Sequence, residues 1–471
     1  MTTSINLKRI LDRKQWEIVS LCPSGTAVGS FAFSSKLPDK TVYFFVSAST
    51  VWAYRPDEDA WQQLQSPGAG GTFGAGSCGT FHPMRCGADT NATTDTATGG
   101  STTTINTTIN AKRSCTGFTV RIVSGPGAGE ERTILSNTIG ANSTITVDTP
   151  FSTAITSSSK FQLITGSIYF WNAGTMSSSS FRRYDYITDA WSSLSVTSAP
   201  TSWGTEGKIE NTRGSAANFV TGTATNGGAI TLENSAKNWA TNQWANFQLR
   251  IIAGTGAGQI RTIASNTATI ITLTAVWTIA PDNTSEYVIE GHDDYLYLTG
   301  NASTTFYRYA ISTNTWSTLT ARPAAPGTGM GLAWIVEQTD STWTDESAYL
   351  NGRRIYAPRG GGSAVIDYYD IPSNTWTTLS YANQFETFTT GSAYVNTGGI
   401  IYIQKDATGR WYQFDTAKNE LLPWSYNWYG QSTAHQGDRG VLVTYEDGAT
   451  TLKWIMAPGN NQTIWHRCLI F

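Results

Sequence analysis

Charge is scarce in this chain. Asp, Glu, Lys and Arg make up 14% of its 471 residues, against roughly a quarter in an average globular protein. The 31 basic and 34 acidic side chains leave a net charge of −3 and a pI of about 5.9. No basic tract is long enough to neutralise several phosphates, which argues against nucleic-acid sequence recognition. No apolar run approaches the roughly 18 residues of a spanning helix, so no membrane insertion is expected. The N-terminus, Met1 to Arg9, has no signal-peptide h-region, so the expected setting is a cytoplasm, or release from one by lysis. Histidine is rare. His82, His292, His435 and His466 are the four, with no H-x-H or H-E-x-x-H spacing. His82 and His435 fall near expected inner strands where a metal could sit, but lone histidines read more simply as structural or solvent-exposed. The five cysteines, Cys22, Cys78, Cys86, Cys115 and Cys468, are odd in number and show no C-x-x-C spacing, which argues against zinc. Cys86 and Cys115 bracket a Thr/Asn-rich stretch and could pair in an oxidising setting; free thiols packed as small hydrophobes are the simpler reading.

What fills the space left by charge is Gly, Ser, Thr and Asn, with aromatics at 12% and 18 tryptophans. Thr, Tyr, Trp, Val and Ile suit pleated, half-buried surfaces, and Gly and Asn suit turns that need positive φ. The class is all-β.

Repeats set the architecture. Tyr54 precedes Trp61, Tyr184 precedes Trp191, Tyr309 precedes Trp316 and Tyr369 precedes Trp376, each by seven residues. A degenerate fifth copy has Phe414 and Leu421 at the same offset. The linking triads end in Asp59, Asp189, Asn314, Asn374 and Asn419, which are hairpin-turn residues. Each copy therefore reads as strand, tight turn, strand, with Tyr and Trp on facing strands. Another strand lies upstream, for example Val42-Tyr43-Phe44-Phe45 or Ile168-Tyr169-Phe170-Trp171. Before that comes a small-residue strand such as 25–33, 71–81 or 327–335. Four strands with a small innermost one make a propeller blade. Trp16 to Trp61 and Trp376 to Leu421 both span 45 residues, one blade. The first strand, around Trp16, has none before it, and the C-terminal strands stop one short. The expected fold is a six-bladed β-propeller closed by the N-terminal strand.

The wide gaps between Trp61, Trp191 and Trp316 leave room for two insertions. They are homologous: Phe118-Thr119-Val120-Arg121-Ile122 matches Phe247-Gln248-Leu249-Arg250-Ile251, followed in each by Gly-Ala-Gly, Arg-Thr-Ile and Ser-Asn at a constant offset of 129. The expected division is propeller at 1–83, insertion at 84–165, propeller at 166–207, insertion at 208–290 and propeller at 291–471. Both insertions enter after an inner strand, so both should project from one face on adjacent blades. Their Gly-x-Gly-x-Gly runs lead into alternating, strand-like residues rather than a helix. They read as β-turns and not as a dinucleotide loop.

No G-x-S-x-G elbow occurs, and Asp57-Glu58-Asp59 and Asp293-Asp294 fall at turns. No catalytic residue, metal or cofactor is expected. Trp424, Tyr426, Trp428 and Tyr429, with Trp343 in the long fourth-blade loop, are candidate contacts for a partner or a glycan, or packing between blades. Leu7, Ile10 and Leu11 have helical spacing and form a candidate docking arm, onto the propeller itself or onto another subunit.

The Tyr-Asp pair with Trp seven residues on, clearest at Tyr184-Asp185 with Trp191 and Tyr369-Asp370 with Trp376, resembles kelch repeats, though their usual double glycine is mostly absent. The insertions are similar to small β modules of tailed-bacteriophage virion proteins, and propellers of this kind occur in the tail nozzles of short-tailed phages. That resemblance implies a non-enzymatic virion structural protein of tail, neck or nozzle. It would be assembled in the host cytoplasm and act through contacts with other virion proteins in a homo-oligomeric ring or array. The alternatives are a glycan-binding adhesin that takes a host-surface glycan and, less favoured, a kelch-type oxidase. The oxidase would need copper ligands and a Cys–Tyr crosslink, and the sequence places no such constellation.

Overall fold

The offset of seven becomes a strand register in the computed structural model. Tyr54 lies opposite Trp61, Tyr184 opposite Trp191, Tyr309 opposite Trp316, Tyr369 opposite Trp376, and Phe414 opposite Leu421. The four Tyr–Trp ring pairs sit 5.0, 4.9, 5.1 and 5.3 Å apart. Such contacts add about 0.5–1.5 kcal/mol beyond area burial. Every turn ends on a residue at φ 45–53°: Asp59, Asp189, Asn314, Asn374 and Asn419. Asp and Asn tolerate this left-handed region better than other L-residues do, which explains why each triad ends in one.

The structure describes residues 17–24, 31–34, 41–46, 50–56, 58–67, 76–87, 93–171, 181–201, 204–212, 218–291, 294–301, 303–335, 352–381, 386–389, 392–397, 399–405, 410–423, 443–447, 452–458 and 465–469. Among them every regular element is a β-strand.

The strands form small four-stranded antiparallel sheets in a propeller arrangement, with two larger seven-stranded sheets between them. Five four-stranded sheets run in chain order from innermost to outermost. They begin at Phe31–Ser34, Cys78–His82, Gly207–Asn211, Ala333–Trp334 and Ala393–Thr397, and are called the first to fifth sheets. A further sheet is composite: Val443–Asp447, Leu452–Pro458 and Trp465–Leu469 are joined by Glu17–Ile18, with Glu17 opposite Arg467 and Ile18 opposite His466. Six blades are expected from the sequence; the structure forms five four-stranded sheets each built in chain order, two of them interrupted by an insertion, and the composite sheet is completed only by the first strand. The innermost strands adjoin in that order, and Val443–Asp447 touches both Ala393–Thr397 and Phe31–Ser34. These strands are less uniformly small than expected. Trp334 and Tyr394 both lie on them, and each turns its polar atom to a backbone carbonyl, of Gly352 and Gly329 respectively.

A recurring latch ties each of the first four sheets to the one before it. The Trp indole donates to a carbonyl just past the preceding outer strand: Trp61 to Ser20, Trp191 to Gln65, Trp316 to Ser195, Trp376 to Thr320, at 2.8–3.0 Å. The Tyr hydroxyl donates to the turn Asp or Asn Oδ1: Tyr54 to Asp59, Tyr184 to Asp189, Tyr309 to Asn314, Tyr369 to Asn374, at 2.7–2.8 Å. In three copies that same Oδ1 also accepts the backbone N–H of the preceding sheet's Ser20, Ser195 or Thr320. At the second sheet Asp189 instead accepts Arg113 from the first insertion.

Candidate functional site: the paired insertions

The residues singled out from sequence as contacts, Trp343, Trp424, Tyr426, Trp428 and Tyr429, and as docking arm, Leu7, Ile10 and Leu11, lie outside the described residues, as do His292 and His435. The insertions are described almost throughout.

Each insertion is a seven-stranded sheet. The first contains Thr119–Ser124, Glu131–Asn137 and Lys160–Ile164; the second contains Gln248–Ala253, Ile260–Asn266 and Glu286–Glu290. The second starts later than residue 208, because Gly207–Asn211 pairs with Tyr295–Gly300 and belongs to the third propeller sheet. The matched motifs do matched work. Arg132 stacks on Phe151 and donates to the carbonyl of Pro150; Arg261 stacks on Trp277 and donates to that of Val276. Asn137 accepts from the Cys115 N–H and returns its amide to the Arg113 carbonyl. Asn266 accepts from the Trp244 N–H and donates to the Ala240 carbonyl. The glycine runs are turns, with positive φ at Gly125, Gly127, Gly129, Gly254, Gly256 and Gly258, and strands follow them.

Sequence likeness does not extend to how the two are anchored. The first module shares one continuous core with the propeller: Phe118, Val120, Ile122 and Phe161 pack in the same cluster as Tyr43, Phe45, Phe81 and Ile168. The second has its own core around Trp239, Trp244, Phe247, Leu249 and Trp277.

The modules grip each other through equivalent residues. A Cβ on Gly129 would lie 2.5 Å from the Ile252 carbonyl oxygen, and one on Gly258 would lie 2.6 Å from that of Val123. Beneath this contact is an ionic quartet in which Arg121, Arg250 and Glu290 are buried and Glu131 reaches the surface. Arg121 Nε donates to Glu131 (2.6 Å), and its Nη1 and Nη2 donate to Glu290 (3.2 and 3.3 Å). Arg250 reaches Glu131 (3.0 Å) and Glu290 (3.1 Å). The arginines are 2% and 4% exposed and Glu290 is fully buried. Such a set is stable only when every charge is paired and hydrogen-bonded. Burial would raise the Glu131 carboxyl, but Arg121 and Arg250 outweigh it and hold the group below its usual range. The arginines occupy aligned positions; the carboxylates do not, since Ile260 aligns with Glu131. Sequence comparison of the insertions therefore missed the quartet.

Cys86 and Cys115 do not pair; both are buried free thiols, like Cys78. Burial pushes Cys78 and Cys115 up to about 12 and raises Cys86, whose Sγ lies 2.5 Å from the Tyr169 hydroxyl oxygen. His82 is buried; its Nδ1 accepts the Met84 N–H at 3.3 Å and its ring stands edge-on to Tyr169. Among the described residues no group of three His, Cys, Asp or Glu is placed to hold a metal ion.

No protein-family model matches this chain, and no curated protein matches it. Many solved structures resemble it loosely, two of them as follows. One, described as "Structure of YjhT", shares 14% identity over 37% of this chain and 61% of that chain, with a TM-score of 0.25. The other, "Crystal Structure of Mitotic Checkpoint Complex", shares 7% identity over 97% of this chain and 95% of that one, with a TM-score of 0.36. Likenesses this loose carry no argument about function.

Proposed function

We propose that this chain is a non-enzymatic structural protein of a tailed-phage virion, from tail, neck or nozzle, that works by protein–protein contact in a homo-oligomeric ring or array. The body is read as a kelch-like six-bladed propeller closed by Glu17–Ile18. Two features support closure: the cyclic adjacency of the innermost strands, and Ser20, which meets the first sheet as Ser195 and Thr320 meet the third and fourth.

The observation that carries the contact role is where apolar surface lies. Of the six large hydrophobics exposed among the described residues, Leu135, Ile139, Ile230, Val276 and Ile279 are on the modules; only Leu21 is on the propeller. Single exposed apolar residues are ordinary; five on one locked pair of modules suit a surface that meets protein. The quartet and the glycine contact keep that surface rigid, so the mechanism is geometric: a stiff disc presents a fixed pair of modules to its neighbours.

Cryo-electron microscopy of particles containing the chain tests this. The expected result is a symmetric ring or array with the modules at subunit contacts. A lone monomer with a ligand seated in the central channel would overturn it, and would bring the glycan-binding and oxidase readings forward.

A further inference from the structure

We infer that the propeller has a built-in hinge between its fourth and fifth sheets. Four joints carry the latch: composite to first, first to second, second to third, and third to fourth. At the fourth-to-fifth joint both donors are gone, because Phe414 stands where the others have Tyr and Leu421 where they have Trp. The acceptor remains. Asn419 keeps the left-handed turn conformation at φ 52°, and its buried Oδ1 has no hydrogen-bond partner among the described residues. A buried acceptor left unmatched destabilises the closed arrangement and is relieved when water reaches it.

What fills the outer part of this joint is apolar. Tyr381 stands edge-on to Phe414 with centroids 5.2 Å apart, and its hydroxyl turns back to the Ala364 carbonyl of its own sheet. Ile366, Ile401, Ile403, Phe414 and Leu421 complete one cluster. Among the described residues, directional bonds across the joint run near the innermost strands. Asn396 donates to the Trp334 carbonyl at 2.6 Å and Tyr394 to the Gly329 carbonyl at 2.8 Å, between innermost strands, and Ser363 bridges to Phe388. The axial edge is thus bonded, while at the rim the latch is replaced by the apolar contact of Tyr381 with Phe414 and an unmatched Asn419 acceptor. Thermal opening starts at the rim, pivoting on the innermost strands.

Hydrogen exchange followed by mass spectrometry on the full chain reads this directly, since local opening exposes amides of the opening unit and not of others. Segments 366–379 and 410–423 are expected to exchange faster, by about tenfold, than the equivalent 181–193 and 306–319. Phe414→Tyr supplies the missing hydroxyl to Asn419. It is expected to slow exchange in 366–379 and 410–423 by about five- to tenfold and to leave the other segments unchanged. Tyr369→Phe removes the donor at the third-to-fourth joint and should raise exchange in 306–319 instead. Equal protection of all four segments in the natural chain, or a uniform slowing in every sheet on Phe414→Tyr, would overturn the hinge.

Discussion

Glu290→Gln is the sharpest test of how the two modules are held. Glu290 is fully buried and accepts from Arg121 through both Nη atoms and from Arg250 through Nε. Glutamine keeps the shape but removes the charge and offers two N–H donors to groups that are themselves only donors. Two guanidiniums, 2% and 4% exposed, would then share Glu131 alone. Removing one partner of a buried ion pair costs about 3–5 kcal/mol, so the module interface should weaken by that order. Changing all four residues together to apolar ones of similar volume should cost much less, because it leaves no buried charge unpaired. A chain of this size need not unfold in one step, so the assay is urea-dependent hydrogen exchange of 119–124 and 248–253, compared with 354–358, whose core is separate from both modules. Protection of the module segments should fall by two to three orders of magnitude, on the order of the same energy, while the propeller segment changes little. A loss below about 1 kcal/mol would show that solvent screens the pairing and that the modules are not locked by it, and the geometric reading would lose its basis.

Acid should act on the same interface. Glu131 titrates below its ordinary 4.5 in the folded chain, so its contribution is fully present above that value and is lost as pH falls through the lowered folded pKa; module pairing is expected to persist at pH 5 and to fail only well below 4.5, read by the same exchange segments. Gly258→Val, which places a branched side chain at φ +86° against the Val123 carbonyl, should be far more damaging in thermal melts than Gly140→Ala, which has positive φ but open space. Trp316→Phe removes the indole bond to Ser195 while keeping most of the packing, and should cost about 1–2 kcal/mol in denaturant unfolding; no change would mean the latch adds nothing to aromatic packing. Cys78, Cys86 and Cys115 should resist a thiol reagent in the native chain and react in denaturant; fast native labelling at any of them would contradict their burial.

The repeats were legible because a β-hairpin imposes fixed spacing: seven residues from Tyr to Trp put the two side chains directly opposite each other. Asp or Asn at the end of each turn was legible for the same local reason. What the indole bonds to was not, because Ser20, Gln65, Ser195 and Thr320 lie 41 to 126 residues away and carry no side-chain signature, the contact being to a backbone carbonyl. The homology of the insertions was read from Gly-Ala-Gly, Arg-Thr-Ile and Ser-Asn, and each motif has a local task that keeps it. The quartet escaped because its two glutamates come from non-equivalent strands. The difference in anchoring escaped because Phe118 and Phe247 look alike in sequence, yet one packs into the propeller core and the other does not.

The composite sheet has a consequence for the order of events in synthesis. Glu17 pairs with Arg467, so the first strand waits for a partner until residue 467 has left the ribosome, roughly twenty to ninety seconds later at ordinary elongation rates. Throughout that interval Ser20 can already be gripped by Asp59 and Trp61 of the first sheet. The early latch holds the strand beside the first sheet, so the last sheet meets a pre-set template and not a loose end.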